Sequence, residues 1–117
     1  MERTHKVWGE RWLIRKDSTH AISFLELDAG YRCSWHTHIT KHNLFVVLWG
    51  EVGIVTCELG KMQEKILKKG ESFTVRPGQP HEFRVYQDSG MIEEMFVEYD
   101  ESDITRIKEG GSIHESA

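Results

Sequence analysis

The chain has 117 residues, of which 38% are hydrophobic and 29% are charged, and its formal net charge is −4. This length predicts one domain with a single modest core, and the acidic balance argues against a nucleic-acid surface. No apolar run approaches the roughly 18–20 residues needed to span a bilayer, so a membrane partner is not expected. The opening "MERTHKVWGER" lacks the apolar middle of a signal peptide, which predicts a cytoplasmic protein.

Short β-strands bounded by turn residues follow one another along the chain. The opening "VWGERWLIRK" can supply one strand. Six further runs are rich in β-branched or aromatic residues: 21–28, 43–50, 51–59, 71–77, 81–88 and 91–100. Gly, Asp and Pro residues interrupt them about every ten residues, a spacing that predicts an all-β antiparallel sandwich or barrel. The basic run "KILKK" at 65–69 is typical of a solvated strand end rather than a phosphate-binding patch.

Only the C-terminal end offers a helical signal. "SDITRIK" at 102–108 predicts a short helical turn, with Ser102 as its cap and Gly110 and Gly111 as its stop. Beyond it, residues 110–117 are expected to form a loose tail. No internal repeat or linker divides the chain, so residues 1–117 are predicted to form a single domain.

Two cysteines, Cys33 and Cys57, are too few for a disulfide framework, and neither belongs to a Cys-x-x-Cys pair. In a chain without an export signal we expect both to be reduced thiols packed in or against the core.

Histidines cluster in "HTHITKH" at 36–42, which holds three of the seven in the chain. Residues two apart on a strand face the same side, so His36 and His38 can reach one ion at about 2.0–2.2 Å. After a bend at 39–41, His42 can return to that ion. A distant ligand is still needed, and His81, after the turn "RPGQP", is the candidate. The remaining histidines fit no such pattern and are assigned to the surface: His5, His20 and His114.

These spacings resemble the two motifs of the cupin family. Gly30, five residues, "HTH" and Gly50 are similar to the first motif. Gly70, five residues, "RPG", two residues and His81 are similar to the second, and residues 51–69 form the spacer. The resemblance implies a jelly-roll β-barrel, also called a double-stranded β-helix, whose open mouth holds a divalent metal ion. Small cupins commonly dimerise, so a homodimer is also implied.

The two ends narrow the resemblance further. "VWGERWLI" and "FVEYDESDITRI" are similar to the ends of small cupins related to sugar-phosphate isomerases, the mannose-6-phosphate isomerase-like group. This resemblance implies isomerase-type chemistry on a sugar-like compound.

The sequence departs from the family motifs at three places. The family's glutamate falls at His42 or Asn43, its first PXG proline is Arg76, and its late asparagine is Val85. Some cupins carry a histidine at the HXHX3H spacing, so we interpret His36, His38, His42 and His81 as four neutral ligands. Asn43 is then either a hydrogen-bonding neighbour of these ligands or a weak carbonyl ligand that competes with His42.

Four neutral imidazoles would leave the +2 charge of the ion uncancelled, which favours an anionic or bidentate oxygen ligand. Imidazole binds manganese, iron, cobalt, nickel, copper and zinc, so one divalent transition-metal ion is expected without a choice among these. Strand parity predicts which further residues share the inward face: Ser34, Asn43, Phe45, Val47, Trp49 and Phe83. Taken singly, each apolar one is more often simply core.

These features together predict a metal-binding cupin that acts as a metal-dependent enzyme on a small polar molecule, sugar-like or an oxyacid, by isomerase-type chemistry. The alternatives are a metal-dependent dioxygenase and a non-catalytic module that binds a metal and a small ligand. No general base stands out: Glu93, Glu94 and Glu98 share a predicted strand, and one of any adjacent pair must face away.

Overall fold

The computed structural model describes residues 1–97 and 102–114, and strands joined by short turns make up this part of the chain. No helix within these two ranges is long and apolar enough to cross a membrane. The thirteen strands are, in chain order, β1 (Glu2–Lys6), β2 (Gly9–Lys16), β3 (His20–Leu27), β4 (Tyr31–Arg32), β5 (Trp35–Thr37), β6 (His42–Trp49), β7 (Glu51–Glu58), β8 (Lys61–Lys68), β9 (Ser72–Val75), β10 (His81–Val85), β11 (Ser89–Phe96), β12 (Thr105–Lys108) and β13 (Gly111–Ser112).

Two antiparallel sheets form the jelly-roll barrel, which confirms the all-β prediction. The first sheet has the order β1-β2-β3-β11-β6-β9. In the second, β12, β5, β10, β4 and β13 are linked in that order, and β7 pairs with β10 on one side and with β8 on the other. Strand alternation places the core between the sheets: on β6, Phe45 and Val47 are buried while Val46 between them is partly exposed.

The predicted helical turn at 102–108 is wrong, because the segment contains strand β12 instead. β12 pairs with β5, and Arg106 lies opposite His36 in the register. The Asp103 carboxylate accepts hydrogen bonds from the backbone amides of Ile39 and Thr40, so it caps a distant loop rather than a helix of its own. Pairing with a strand edge thus overrides the local capping signal.

The C-terminal segment is attached to the barrel as far as the structure describes it. Gly111 and Ser112 form β13, which pairs with β4, and residues 115–117 lie outside the described ranges. Two strands of five or more residues, β1 and β8, were missing from the sequence prediction. β1 is short and polar, and β8 is exposed along nearly its whole length apart from Leu67, so neither shows the hydrophobic alternation of a half-buried strand.

Trp49 does not lie on the inward face predicted for it. The pairing of β6 with β11 shifts by one residue, because Gly90 lies opposite Trp49 whereas the next residue, Met91, lies opposite Val47. This bulge turns Trp49 to the outside, where its side chain is 50% exposed and contacts the ring of Phe24. A Cβ atom at Gly90 would lie 2.4 Å from the Trp49 ring, so any larger residue there would displace the ring.

The two cysteines are free thiols, as expected. Cys33 is buried, and its sulfur accepts a hydrogen bond from the Phe83 amide at 3.1 Å.

Candidate metal centre

Three of the four predicted ligands meet between the sheets. His36 on β5 and His81 at the start of β10 lie directly opposite each other in the register, so their side chains project from the same face. His38 follows two residues after His36. Their ring centroids are 4.4 Å (His36–His81), 4.8 Å (His36–His38) and 5.1 Å (His38–His81) apart, and one nitrogen from each ring lies within 4.8 Å of the others.

The turn that precedes His81 is tied to the histidine segment by the backbone. The Gly78 amide of "RPGQP" donates a hydrogen bond to the His38 carbonyl at 2.7 Å. The two remote motifs that carry the family resemblance are therefore joined directly, and their imidazoles converge.

Each imidazole uses its Nδ1 atom to contact a backbone carbonyl. The Nδ1 atoms of His36, His38 and His81 lie 2.7, 2.7 and 2.9 Å from the carbonyl oxygens of Ser34, Asp103 and Gln79. A carbonyl oxygen only accepts, so each Nδ1 carries the proton and each Nε2 carries the lone pair. The Nε2 atoms of His38 and His81 are buried, and no described residue hydrogen-bonds to them.

The same burial keeps the three rings neutral. Desolvation, reinforced by the neighbouring His81 and His38, lowers the pKa of His36 to about 2. Desolvation also lowers the pKa of His38 to about 4 and that of His81 to about 4, although hydrogen bonds to backbone carbonyls partly oppose it. At neutral pH the cluster therefore offers three lone pairs and no charge.

This donor set fits a transition-metal ion. Neutral imidazoles with backbone-anchored Nδ1 atoms and unpartnered Nε2 atoms are the arrangement that metal-binding histidines adopt. Two ligand atoms at about 2.1 Å from one ion can be at most about 4.2 Å apart. Any two of these nitrogens that lie at the 4.8 Å limit must therefore approach each other by at least about half an ångström when an ion binds.

His42 is not brought into this group. It begins β6, pairs in the register with Phe96, and its ring stacks on the Phe96 ring with centroids 5.0 Å apart. The next residue, Asn43, takes the inward position and is only 1% exposed. The geometry therefore supports Asn43, rather than the predicted His42, as the residue from β6 that adjoins the cluster.

Asn43 connects the cavity to a carboxylate on the neighbouring strand. Its Nδ2 donates a hydrogen bond to Glu93 Oε2 at 2.8 Å, while its Oδ1 is buried without a partner among the described residues. Burial raises the pKa of Glu93, and Lys41 and the Asn43 hydrogen bond oppose that shift only in part. Glu93 faces the cavity and its neighbour Glu94 does not, which resolves the choice that the sequence left open between these two. Glu98 lies outside the described residues.

A cavity of about 540 Å³ opens over His36 and His38. Of the predicted pocket residues, Ser34 and Phe83 line it with Asn43, and the Ser34 hydroxyl lies 2.8 Å from His36 Nδ1. Phe45 and Val47 belong to the buried core instead. The basic residues of the lining were not predicted from the sequence; they are Lys6, Arg11, Lys41 and Arg106. Arg11 lies two residues before the buried Leu13 on β2, so the two side chains share a face. This spacing is the signal that could have placed Arg11 inward.

Asp103 holds the bend between His38 and β6. Its carboxylate accepts hydrogen bonds from the Ile39, Thr40 and Lys41 amides and from the Thr40 hydroxyl, and its carbonyl contacts His38 Nδ1. Burial acts to raise the pKa of Asp103, but these donors outweigh it and hold the pKa well below its usual range. One residue thus fixes both the loop and the ring orientation of His38.

The fold and the site define a small β-barrel protein with a three-histidine candidate metal centre at its mouth. Comparison with protein families extends this: the cupin domain model matches residues 23–92. The chain therefore belongs to the cupin family. A comparison with curated proteins found no significant match.

Solved structures agree on the fold. Oxalate decarboxylase from Bacillus subtilis, solved at pH 4.6, superposes with a TM-score of 0.77 and 13% identity over 91% of this chain. A tryptophan-to-tyrosine variant of the Bacillus subtilis enzyme gives 0.76 and 13% over the same share. The chain spans only 30% of the length of these proteins. The resemblance of the two ends to isomerase-related cupins is not confirmed by these comparisons.

Proposed function

We propose that this cupin binds one divalent transition-metal ion through His36, His38 and His81 and acts on a small polar molecule in the cavity above them. The observation that carries the proposal is the set of three neutral imidazoles with their Nδ1 atoms held by backbone carbonyls and their remaining nitrogens within 4.8 Å of one another. With only neutral ligands, the bound ion keeps its +2 charge and favours oxygen ligands that are anionic or bidentate. When bound, the ion would supply Lewis-acid polarisation of a carbonyl or hydroxyl oxygen.

We propose Glu93 as the proton-transfer group that the sequence did not single out. Glu93 lines the cavity, is held by Asn43 at 2.8 Å, and has a pKa raised by burial, so that its carboxyl can exchange a proton closer to neutral pH. Isomerisation of a hydroxycarbonyl compound moves a proton between neighbouring carbons and needs such a group. This supports isomerase-type chemistry on a sugar-like substrate, as the resemblance of the chain ends implies.

An oxyacid is the second candidate substrate, because the proteins with the same fold are named as decarboxylases of oxalate. Oxygen-dependent turnover would require a redox-active metal, whereas isomerisation would not. If the chain binds metal and ligand but turns over neither sugar-like compounds nor oxyacids, it is the non-catalytic binding module.

The test begins with elemental analysis of protein purified without added metal. We expect close to one transition-metal ion per chain, removable by a chelator. A screen of aldoses, ketoses and oxyacids with the identified metal, run with and without oxygen, then separates isomerase, dioxygenase and binding module.

Glu93→Gln keeps the shape of the side chain and removes its proton transfer, so turnover should fall by about 100-fold or more. Glu94→Gln is the matched control, since the neighbouring residue makes the same charge change outside the cavity lining. Protein that retains no metal even in excess zinc, manganese or iron would refute the proposal.

A further inference from the structure

Cationic side chains from separate strands line the same cavity as the histidines. Lys6 on β1 and Arg11 on β2 are diagonal neighbours on one face of that hairpin, because Lys6 lies opposite Gly9 and Thr4 lies opposite Arg11. Arg106 on β12 lies directly opposite His36. Lys41 also contributes to the lining.

These charges act on one another and on the site. Burial lowers the pKa of Lys6, and the positive charges of Arg11 and Arg106 lower it further, while Glu93 acts in the opposite direction. Arg106 also lowers the pKa of His36 and His38. Like charges so placed repel each other.

The described lining carries an excess of positive charge, although the whole chain is acidic. Apart from Lys41, three basic side chains line the cavity with two carboxylates, Glu93 and Glu109, which leaves one positive charge in excess with the histidines neutral. A metal ion on the histidines would add two more. None of Lys6, Arg11 and Arg106 forms an ion pair with another described residue.

Arg11 also has a donor without an acceptor. Its Nε is buried, and no residue of the described ranges accepts a hydrogen bond from it. Leaving a buried charged donor unpaired is costly, and a guanidinium presents its N–H groups in a fork that matches the two oxygens of a carboxylate or phosphate. The missing partner is therefore expected to arrive with a ligand.

We infer that Arg11, Lys6 and Arg106 form an oxyanion subsite, which holds a terminal carboxylate or phosphate group of the molecule whose other oxygens approach the histidine cluster. This inference rests on the proposed function, because it names the ligand class of the same cavity. The subsite restricts the substrate class to small polar molecules that carry a second, anionic group.

The test measures binding of inorganic phosphate and of malonate by calorimetry, using the full chain before and after chelator treatment. Binding to chelator-treated protein isolates the subsite from the ion. We expect at least one of the two anions to bind, and Arg11→Gln to weaken it at least tenfold. Tighter binding of phosphate would assign a phosphate ester, and tighter binding of malonate a carboxylate; either result supports the subsite.

Arg15→Gln is the matched control, because Arg15 is an exposed residue of the same strand and lies outside the cavity lining. Its effect should stay below about twofold. Should Arg11→Gln fail to fold, Arg106→Gln replaces it, with Lys108→Gln as the control on β12. Equal losses in variant and control, or no anion binding by the wild-type chain, would overturn the subsite.

The two proposals fail separately. Chain that retains no metal but binds phosphate through Arg11 would uphold the subsite and refute the metal-dependent function. Chain that retains one metal ion per molecule but binds neither anion after chelation would refute the subsite alone.

Discussion

Two parts of the same seven-residue segment end in opposite environments. His36 and His38 point between the sheets, are 9% and 4% exposed, and converge with His81. His42, four residues on, lies on the other face of its strand and stacks on Phe96. Strand parity after the bend, and not residue type, thus decides which side chain of β6 adjoins the histidine cluster, because the inward position falls to Asn43.

The largest expected effect is loss of the metal on removal of one inward ring. His36→Ala or His81→Ala removes a proposed ligand, so metal affinity should fall by more than roughly 100-fold, which is the largest loss expected when a residue that only supports a ligand is removed. His42→Ala should change it by less than about twofold. Metal titration of each variant, monitored by competition with a chromophoric chelator, provides the measurement.

A loss in His42→Ala as large as that in His36→Ala would restore the four-histidine site. Asn43→Ala belongs in the same series. If it weakens metal binding more than His42→Ala does, the inward residue of β6 is the one that adjoins the ion.

The second prediction concerns the stability of the metal-free protein at acidic pH. The folded pKa values of about 2 for His36 and about 4 for His38 and His81 lie below the ordinary histidine pKa of 6.5. The unfolded chain therefore binds more protons below pH 6.5. The metal-free protein should keep its full stability above that pH and lose several kcal/mol, on the order of 1–2 per ring, as the pH falls from about 6.5 towards 4.

Urea midpoints of chelator-treated protein across this range test the acid effect. His81→Ala should reduce the slope of the midpoint against pH, because it removes one of the three buried rings. A midpoint that stays constant between pH 7 and 4 would contradict the burial of neutral rings.

Asp103 offers a smaller effect that separates folding from metal binding. Asp103→Ala removes the acceptor for the 39–41 amides and should destabilise the fold by about 2 kcal/mol. Because the same residue positions the ring of His38, metal affinity should also fall about tenfold.

Asp17→Ala is the control for that variant. Asp17 likewise accepts the amides of a turn, those of Thr19 and His20, but lies away from the site. Chemical unfolding should show a loss of stability for both variants, and metal titration should show weaker binding only for Asp103→Ala. Equal metal affinities would mean that the bend does not position His38.

The sequence allowed the inward histidines to be predicted because each rests on a local rule. His36 and His38 follow from the two-residue repeat of a strand, and His81 from its position after a Pro-Gly turn. The most central strands were found for the same reason, since their apolar alternation is a local property.

What could not be predicted depends on contacts between distant segments. Asp103 lies 64 positions beyond Ile39, and its capacity to hold that bend has no local signature. Pairing of β12 with β5 overrode a helical signal, and the bulge opposite Gly90 reversed the side of Trp49. Sheet packing likewise brings Arg11 and Glu93 into the same cavity as the histidines, which no local pattern shows.

The smallest expected effect concerns His42, the histidine of the segment that lies outside the cluster. If His42 serves only to pack on Phe96, the double-mutant cycle of His42→Ala and Phe96→Ala should give a coupling free energy of about 0.5–1.5 kcal/mol, typical of an aromatic pair. The same coupling should appear with and without metal, because the pair lies outside the cluster. A coupling that grows when metal is present would show that His42 senses the ion after all, and the contrast between the two faces would no longer hold.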